Sequence, residues 1–117
     1  MARYLVTGGA GFIGSHLCTR LCAEGHDVRA LDDLSSGHRS NLDGVDVDLI
    51  VGDLRDRDAL ELATDGADFV LHHAAIASVQ FSVEHPLEEQ DVNVVGTLRL
   101  LEAARAAGVK RVVFAAS

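Results

Sequence analysis

Residues 7–17 read Thr-Gly-Gly-Ala-Gly-Phe-Ile-Gly-Ser-His-Leu, directly after the β-rich run Arg3 to Thr7 and at the start of a stretch with helical periodicity. Gly8, Gly11 and Gly14 fall three apart, and Gly9 to Gly14 also fits the spacing G-x-G-x-x-G. That spacing suits a diphosphate. The early glycines permit a tight turn, Gly11 brings the backbone close without a Cβ, and Gly14 lets the helix settle against the sheet. The helix start then offers unpaired N–H groups, around Phe12 and Ile13, to negative charge. Glycine-rich turns are common and often only structural, so the position between a strand and a helix is what gives this one its meaning.

Outward from that turn, further β-rich runs follow at Asp27 to Leu31, Val47 to Val51, Asp68 to His72 and Arg111 to Ala116. Helical patterns alternate with them, which predicts an α/β fold with a parallel sheet and crossover helices. Ile13, Leu17 and Leu21 recur every fourth residue, and Gly25 stands where a helix C′ residue belongs. Residues 33–44, DLSSGHRSNLDG, read as a loop with at most one helical turn. Arg55 to Ala63 predicts a short helix and Glu84 to Ala107 a long one. The long helix has Pro86 near its first turn, Glu88 and Glu89 at the positive end of the dipole, Arg105 near the other end and Gly108 beyond it. Right-handed crossovers then give a doubly wound parallel sheet of strand order 3-2-1-4-5, truncated after strand 5. Ligands are expected beyond the carboxyl ends of its strands, between strands 1 and 4.

The remaining motifs fall at those ends. Asp32, 18 residues beyond Gly14, closes the second strand, where a carboxylate accepts both hydroxyls of an adenosine ribose and repels a 2′-phosphate. Arg39 favours NADP, but a loop cation seven residues on is outweighed by an acid at the ribose itself, so NAD is expected. Asp32 and Asp33 also suit an ordinary turn after a strand. In Gly52-Asp53-Leu54, Asp53 is placed to accept from an adenine amino group while the next N–H donates to a ring nitrogen, or else to cap the following helix. Leu71-His72-His73-Ala74-Ala75 ends strand 4 with small alanines that let the backbone pass beneath the ribose and diphosphate. Neighbouring strand positions point to opposite faces, so His72 and His73 do not share an ion, and no metal site is expected. Cys18 and Cys22 read as two small buried or half-buried thiols in a reducing compartment.

The chain has 117 residues, 48% of them apolar, enough for one core and one domain over 1–117. Ten Lys and Arg against 18 Asp and Glu leave a net charge of −8, which disfavours nucleic acid and anionic membranes as partners. The apolar run before the first glycines is too short for a secretion signal, and no stretch approaches a membrane span, so a cytoplasmic location is expected.

Together TGGAGFIGSHL, the loop Asp32 to Gly37, GDLRD (Gly52 to Asp56), HHAA (His72 to Ala75), NVVGT (Asn93 to Thr97) and the closing RVVFAAS resemble the extended short-chain dehydrogenases/reductases. Within them the likeness is to NAD-dependent sugar-nucleotide epimerases and dehydratases, over Arg3 to Ser117. The resemblance implies a Rossmann fold and NAD as cofactor. It assigns the diphosphate to Gly8, Gly11, Phe12, Ile13 and Gly14, and the adenosine ribose to Asp32, Asp33, Leu34, Ser36 and Gly37. Adenine falls to Asp53 and Leu54, and the path to the nicotinamide to Ala74, Ala75 and Ile76. Asn93 would hydrogen-bond near the active-site strand ends, or is a solvated helix-face amide. Ser117 aligns with the serine that bonds the reacting sugar hydroxyl or keto group. A nucleotide-sugar substrate, transient hydride transfer at the sugar C4 and a homodimer of the full-length parent built on the long helix are implied with it. The sequence departs from the family at Ala77, where UDP-galactose epimerases often carry Lys, and at Gln80-Phe81, where an Asp-Arg-like pair is frequent. The FAAS ending leans toward epimerases that accept N-acetylated sugars.

The family's acid/base pair, Tyr-x-x-x-Lys, is not in these residues: the one tyrosine is Tyr4 and the one lysine Lys110. The expectation is an N-terminal fragment without its substrate-binding portion, able to bind NAD but not to turn over, with strand 5 an open edge that favours self-association. A 4,6-dehydratase, a non-catalytic dinucleotide sensor and a methyl-donor-binding domain are the competing readings. The last shares the glycine loop and the acid after strand 2 but does not predict HHAA followed by NVVGT.

Overall fold

The computed structural model describes residues 2–35, 37–73 and 84–114. β1 (Arg3–Thr7) leads through the glycine turn into α1 (Phe12–Ala23), and β2 (Asp27–Asp32) into a loop with a 3₁₀ turn at Arg39–Leu42. Then come β3 (Val47–Val51), α2 (Arg57–Thr64) and β4 (Phe69–His72). α3 (Pro86–Gln90), a wide π turn (Asp91–Val95), α4 (Gly96–Ala107) and β5 (Arg111–Phe114) complete the order. The strands form one parallel sheet, β3-β2-β1-β4-β5, with Thr7 opposite Leu31 on one side and His72 on the other. This is the expected order, and it sets the glycine turn at the centre of the sheet's carboxyl edge.

The sheet separates two cores because successive strand residues face opposite ways. Leu5 packs with Leu31, Leu54, Leu60, Val70 and Leu100 beneath α2 and α4. Its neighbour Val6 packs with Ala10, Cys18, Val28, Ala30 and Leu42 on the α1 side. α1 and α4 both end in left-handed glycines, Gly25 at φ +86° and Gly108 at φ +78°. At the first, Gly25 N donates to Cys22 O and His26 N to Leu21 O; at the second, Gly108 N donates to Arg105 O and Val109 N to Ala104 O. Those paired bonds satisfy carbonyls that the helix ends would otherwise leave open.

Three local features differ from the sequence expectation. Ile13 is 58% exposed, because α1 begins beyond the sheet edge and meets the sheet through Gly14, Ser15 and Cys18 instead. The second helix starts at Arg57, after Asp56, whose carboxylate accepts from Asp58 N at 3.0 Å and Ala59 N at 3.4 Å. The long helix is interrupted by the π turn. Asp91 must reach Arg55, Thr97 must reach His72, and Gly96 must press against Leu54, where an added Cβ would lie 2.9 Å from Leu54 Cβ. A turn with one extra residue reconciles those three demands.

Candidate functional site

The glycine turn is held on all sides. Gly8, at φ +69°, donates its N–H to Leu31 O at 2.7 Å, and Gly11 donates to Gly8 O at 3.1 Å. A Cβ on Gly14 would overlap the Gly8 carbonyl, so helix and turn approach as only glycine allows. Gly11 is the N-cap of α1, with no side-chain cap and no acid in the first turn. The N–H groups of Phe12, Ile13 and Gly14 therefore have no acceptor within the helix; Phe12 and Ile13 are exposed and stand open to an anion, with Gly14 buried behind them.

Asp32 does more than close a strand. Only 7% exposed, it accepts from Ala10 N through Oδ2 at 2.9 Å and from Leu34 N through Oδ1 at 2.8 Å. A carboxylate has further lone pairs for ribose hydroxyls. The Ala10 carbonyl in turn accepts from His38 N at 3.0 Å and Asn41 Nδ2 at 2.8 Å. Gly37 lies so close that a Cβ would sit 2.8 Å from the Ala10 carbonyl carbon and 2.9 Å from Asp32 Oδ2. Leu34 occupies the left-handed region at φ +63°, a strained backbone of the kind that collects at binding sites. Asp33, by contrast, is exposed, and its Oδ1 accepts from Ser35 N at 2.9 Å and Ser35 Oγ at 2.7 Å.

At the end of β3 the choice left open for Asp53 narrows. Asp56 is the helix cap, while Asp53 is gripped by Arg55 through two guanidinium bonds, 3.1 Å to Oδ1 and 2.7 Å to Oδ2, plus the Arg55 N–H at 2.9 Å. Those Arg55 hydrogen bonds hold the Asp53 carboxyl below the usual carboxylate range. Leu54 is buried in the core.

His72 links β1, β4 and α4. Thr97 Oγ1 donates to Asn93 O at 2.8 Å, so it must accept from His72 Nε2–H at 2.9 Å. Nδ1 is then the acceptor, taking the Thr7 hydroxyl proton at 2.6 Å, while Thr7 Oγ1 accepts from His73 N at 2.9 Å. Burial, with His73 adding to it, pushes His72 down to about 4, so the imidazole is neutral near pH 7. This chain of bonds carries the π turn, and Asn93 within it, to the end of β4.

The structure thus brings Gly8, Gly11, Phe12, Ile13, Gly14, Asp32, Leu34 and Gly37 together along one edge, with Asp53 and Leu54 at the neighbouring strand end. Ser36, Ala74, Ala75, Ile76, Ala77, Gln80, Phe81 and Ser117 lie outside the described residues. Tyr4 and Lys110 sit at the opposite, amino edge: Tyr4 packs its ring on His26 and Phe69, and Lys110 Nζ lies 3.7 Å from Asp68 Oδ1. Sequence reasoning did not single out Thr7, Asn41, Arg55 or Thr97. Thr7, Arg55 and Thr97 stand inside motifs already quoted, as polar residues beside a buried strand end, whereas Asn41 is an ordinary loop amide with no local signal.

The sequence model of the NAD dependent epimerase/dehydratase family matches residues 4–117. This chain belongs to that family. Among epimerase/dehydratase relatives it is 48% identical over 120 residues to a UDP-glucose 4-epimerase of Mycolicibacterium smegmatis, covering 98% of this chain and 38% of that one. It superimposes with a TM-score of 0.90 on a Thermus thermophilus UDP-glucose 4-epimerase in complex with NAD, at 45% identity, covering 98% of this chain and 37% of that one. The Stenotrophomonas maltophila UDP-glucose 4-epimerase with bound NAD and formylated UDP-arabinopyranose gives a TM-score of 0.93 at 38% identity, over 100% of this chain and 37% of that one. The chain thus spans little more than a third of the length of these epimerases.

Proposed function

We propose that these residues form the NAD-binding portion of a sugar-nucleotide 4-epimerase acting on UDP-sugars. The observation that carries this reading is Asp32, a buried carboxylate whose two oxygens already tie the glycine turn to the ribose loop. The cradle fits a dinucleotide: the Gly14 contact leaves no room for a side chain, and the open N–H groups of the α1 start face an edge without a capping acid. In this reading Phe12, Ile13 and Gly14 hold the diphosphate, Asp32 the adenosine ribose, and Asp53 with the Leu54 N–H the adenine. Asp33 is a turn former beside them. Ala74 to Ile76 and Asn93 line the way to the reacting carbon, and Ser117 bonds the sugar. Bound NAD supplies a hydride acceptor there.

Proton transfer has no donor among Tyr4 and Lys110, both fixed at the far edge of the sheet, so we read this chain as binding NAD without turning over sugar by itself. The exposed Leu87, Val94 and Leu98 along α3, the π turn and α4 suit a homodimer of the longer parent. Among the described residues no helix is long and apolar enough to cross a membrane, and the free thiols of Cys18 and Cys22 suit a reducing cytoplasm.

Calorimetric titration of NAD⁺ and NADP⁺ tests the assignment. NAD⁺ is expected to bind at least about tenfold more tightly, and Asp32→Asn, which keeps the shape but not the charge, to narrow that ratio. Equal affinities in the native chain would overturn the ribose assignment.

A further inference from the structure

Arg55 stands beside the adenine-side acid, yet holding a dinucleotide does not by itself call for a cation there. Its fork takes both Asp53 oxygens and its own N–H takes Oδ1 again, while Nη1 lies 3.5 Å from Asp91 Oδ2 at the start of the π turn. The Arg55 carbonyl is held in turn by Arg99 Nη1 at 3.0 Å. An ionised carboxylate has about four lone-pair sites. Two donors on Oδ1 and one on Oδ2 leave about one, on Oδ2, in a single orientation.

Resting on the reading above that Asp53 meets the adenine, we infer that Arg55 is the positioning residue that sets base specificity. It makes Asp53 an obligate acceptor at one oxygen, so the site takes a 6-amino purine and refuses a 6-oxo purine. The chemistry is one of matched signs: an amino group donates to that lone pair, whereas an oxo group presents a second acceptor and leaves both desolvated oxygens unpaired. A free acid relieves such a clash by taking up a proton and donating it. The guanidinium beside Asp53 opposes that by holding the carboxyl below its usual range. The link to Asp91 keeps the fork from swinging away, because it pins the guanidinium to the helix side of the cleft.

The test compares NAD⁺ with nicotinamide hypoxanthine dinucleotide, whose purine carries oxo for amino and with it a proton on N1, by calorimetry on the native chain, Arg55→Gln and Arg55→Lys; the two variants isolate the share of the discrimination that Arg55 sets. The native chain is expected to favour NAD⁺ by roughly tenfold or more. Arg55→Gln should narrow that ratio at least about threefold, through weaker NAD⁺ binding as the acceptor loses its fixed orientation, tighter hypoxanthine binding as the acid becomes free to protonate, or both. A purely structural arginine would weaken both dinucleotides alike, and an unchanged ratio overturns the inference. Arg55→Lys keeps a positive charge without the planar fork, so it too must narrow the ratio; a lysine variant with native discrimination also overturns the inference, even if Arg55→Gln fails to fold. Binding of neither dinucleotide to the native chain sinks the cofactor reading and this inference with it. Tight NAD⁺ binding with no preference for adenine sinks the inference alone.

Discussion

His72 shows how much a single buried side chain decides. Its Nδ1 and Nε2 are both committed, and protonating it would place a second donor against the Thr7 hydroxyl that already donates to it. The folded pKa of about 4 lies below the ordinary 6.5, so between those values the unfolded chain binds more protons than the folded one. Stability is therefore complete above the upper value and falls as pH drops toward the lower, by about 3 kcal/mol at most. Urea unfolding followed from about pH 7 to about pH 4.5 should show that decline, and His72→Asn should flatten it; an equal slope in both proteins would reject the neutral imidazole. Gly14→Ala makes a sharper test of packing. Its Cβ collides with the Gly8 carbonyl, which is backbone and has no rotamer to change. A loss of about 2 kcal/mol or more in unfolding free energy is expected, together with weaker NAD⁺ binding. Cys18, by contrast, is chemically quiet: burial pushes its thiol up to about 12, so little thiolate forms for a reagent to meet.

Among the elements, α2 is short and is held by a side chain at each end. Asp56 accepts from two first-turn N–H groups, and Arg29 Nη1 donates to the Leu62, Ala63 and Asp65 carbonyls at 3.1, 2.8 and 2.7 Å. Asp56→Ala is expected to cost about 1 kcal/mol in chemical denaturation. The Asp56 cap was legible only in part: the acids of GDLRD announce a helix start, but which of Asp53 and Asp56 caps depends on Arg55 turning back onto Asp53. The π turn was not legible at all. Leu87, Val94, Leu98 and Leu101 keep helical spacing across it, and the extra residue is absorbed only because Arg55, Leu54 and His72, from other elements, meet the helix at fixed heights.

At the scale of the whole molecule, a ligand that binds only the folded chain adds its binding energy to folding. A free NAD⁺ concentration about 100 times its Kd adds about 2.7 kcal/mol, and the thermal midpoint should rise accordingly, more than with NADP⁺ at the same concentration. Equal midpoints with both coenzymes would contradict the charge placed at Asp32. The two cores on either side of β1 make the molecule respond as one body, since Leu5 and Val6 tie opposite helices to the same strand.

Sequence by itself determined the order of strands and helices, the glycine turn and the acid closing β2. Each is a short-range signal: a period of two or of four, a residue that tolerates φ above zero, a charge at a strand end. Tertiary structure alone decided that Asp32 clamps the glycine turn to the loop after β2, that Arg55 holds Asp53, that His72 is neutral with its proton on Nε2, and that the long helix widens at Asp91–Val95. Those outcomes rest on hydrogen bonds between residues about 20 or more positions apart in most cases, as from His72 to Thr7 and Thr97. No local pattern encodes which buried donor finds which acceptor once the sheet has closed.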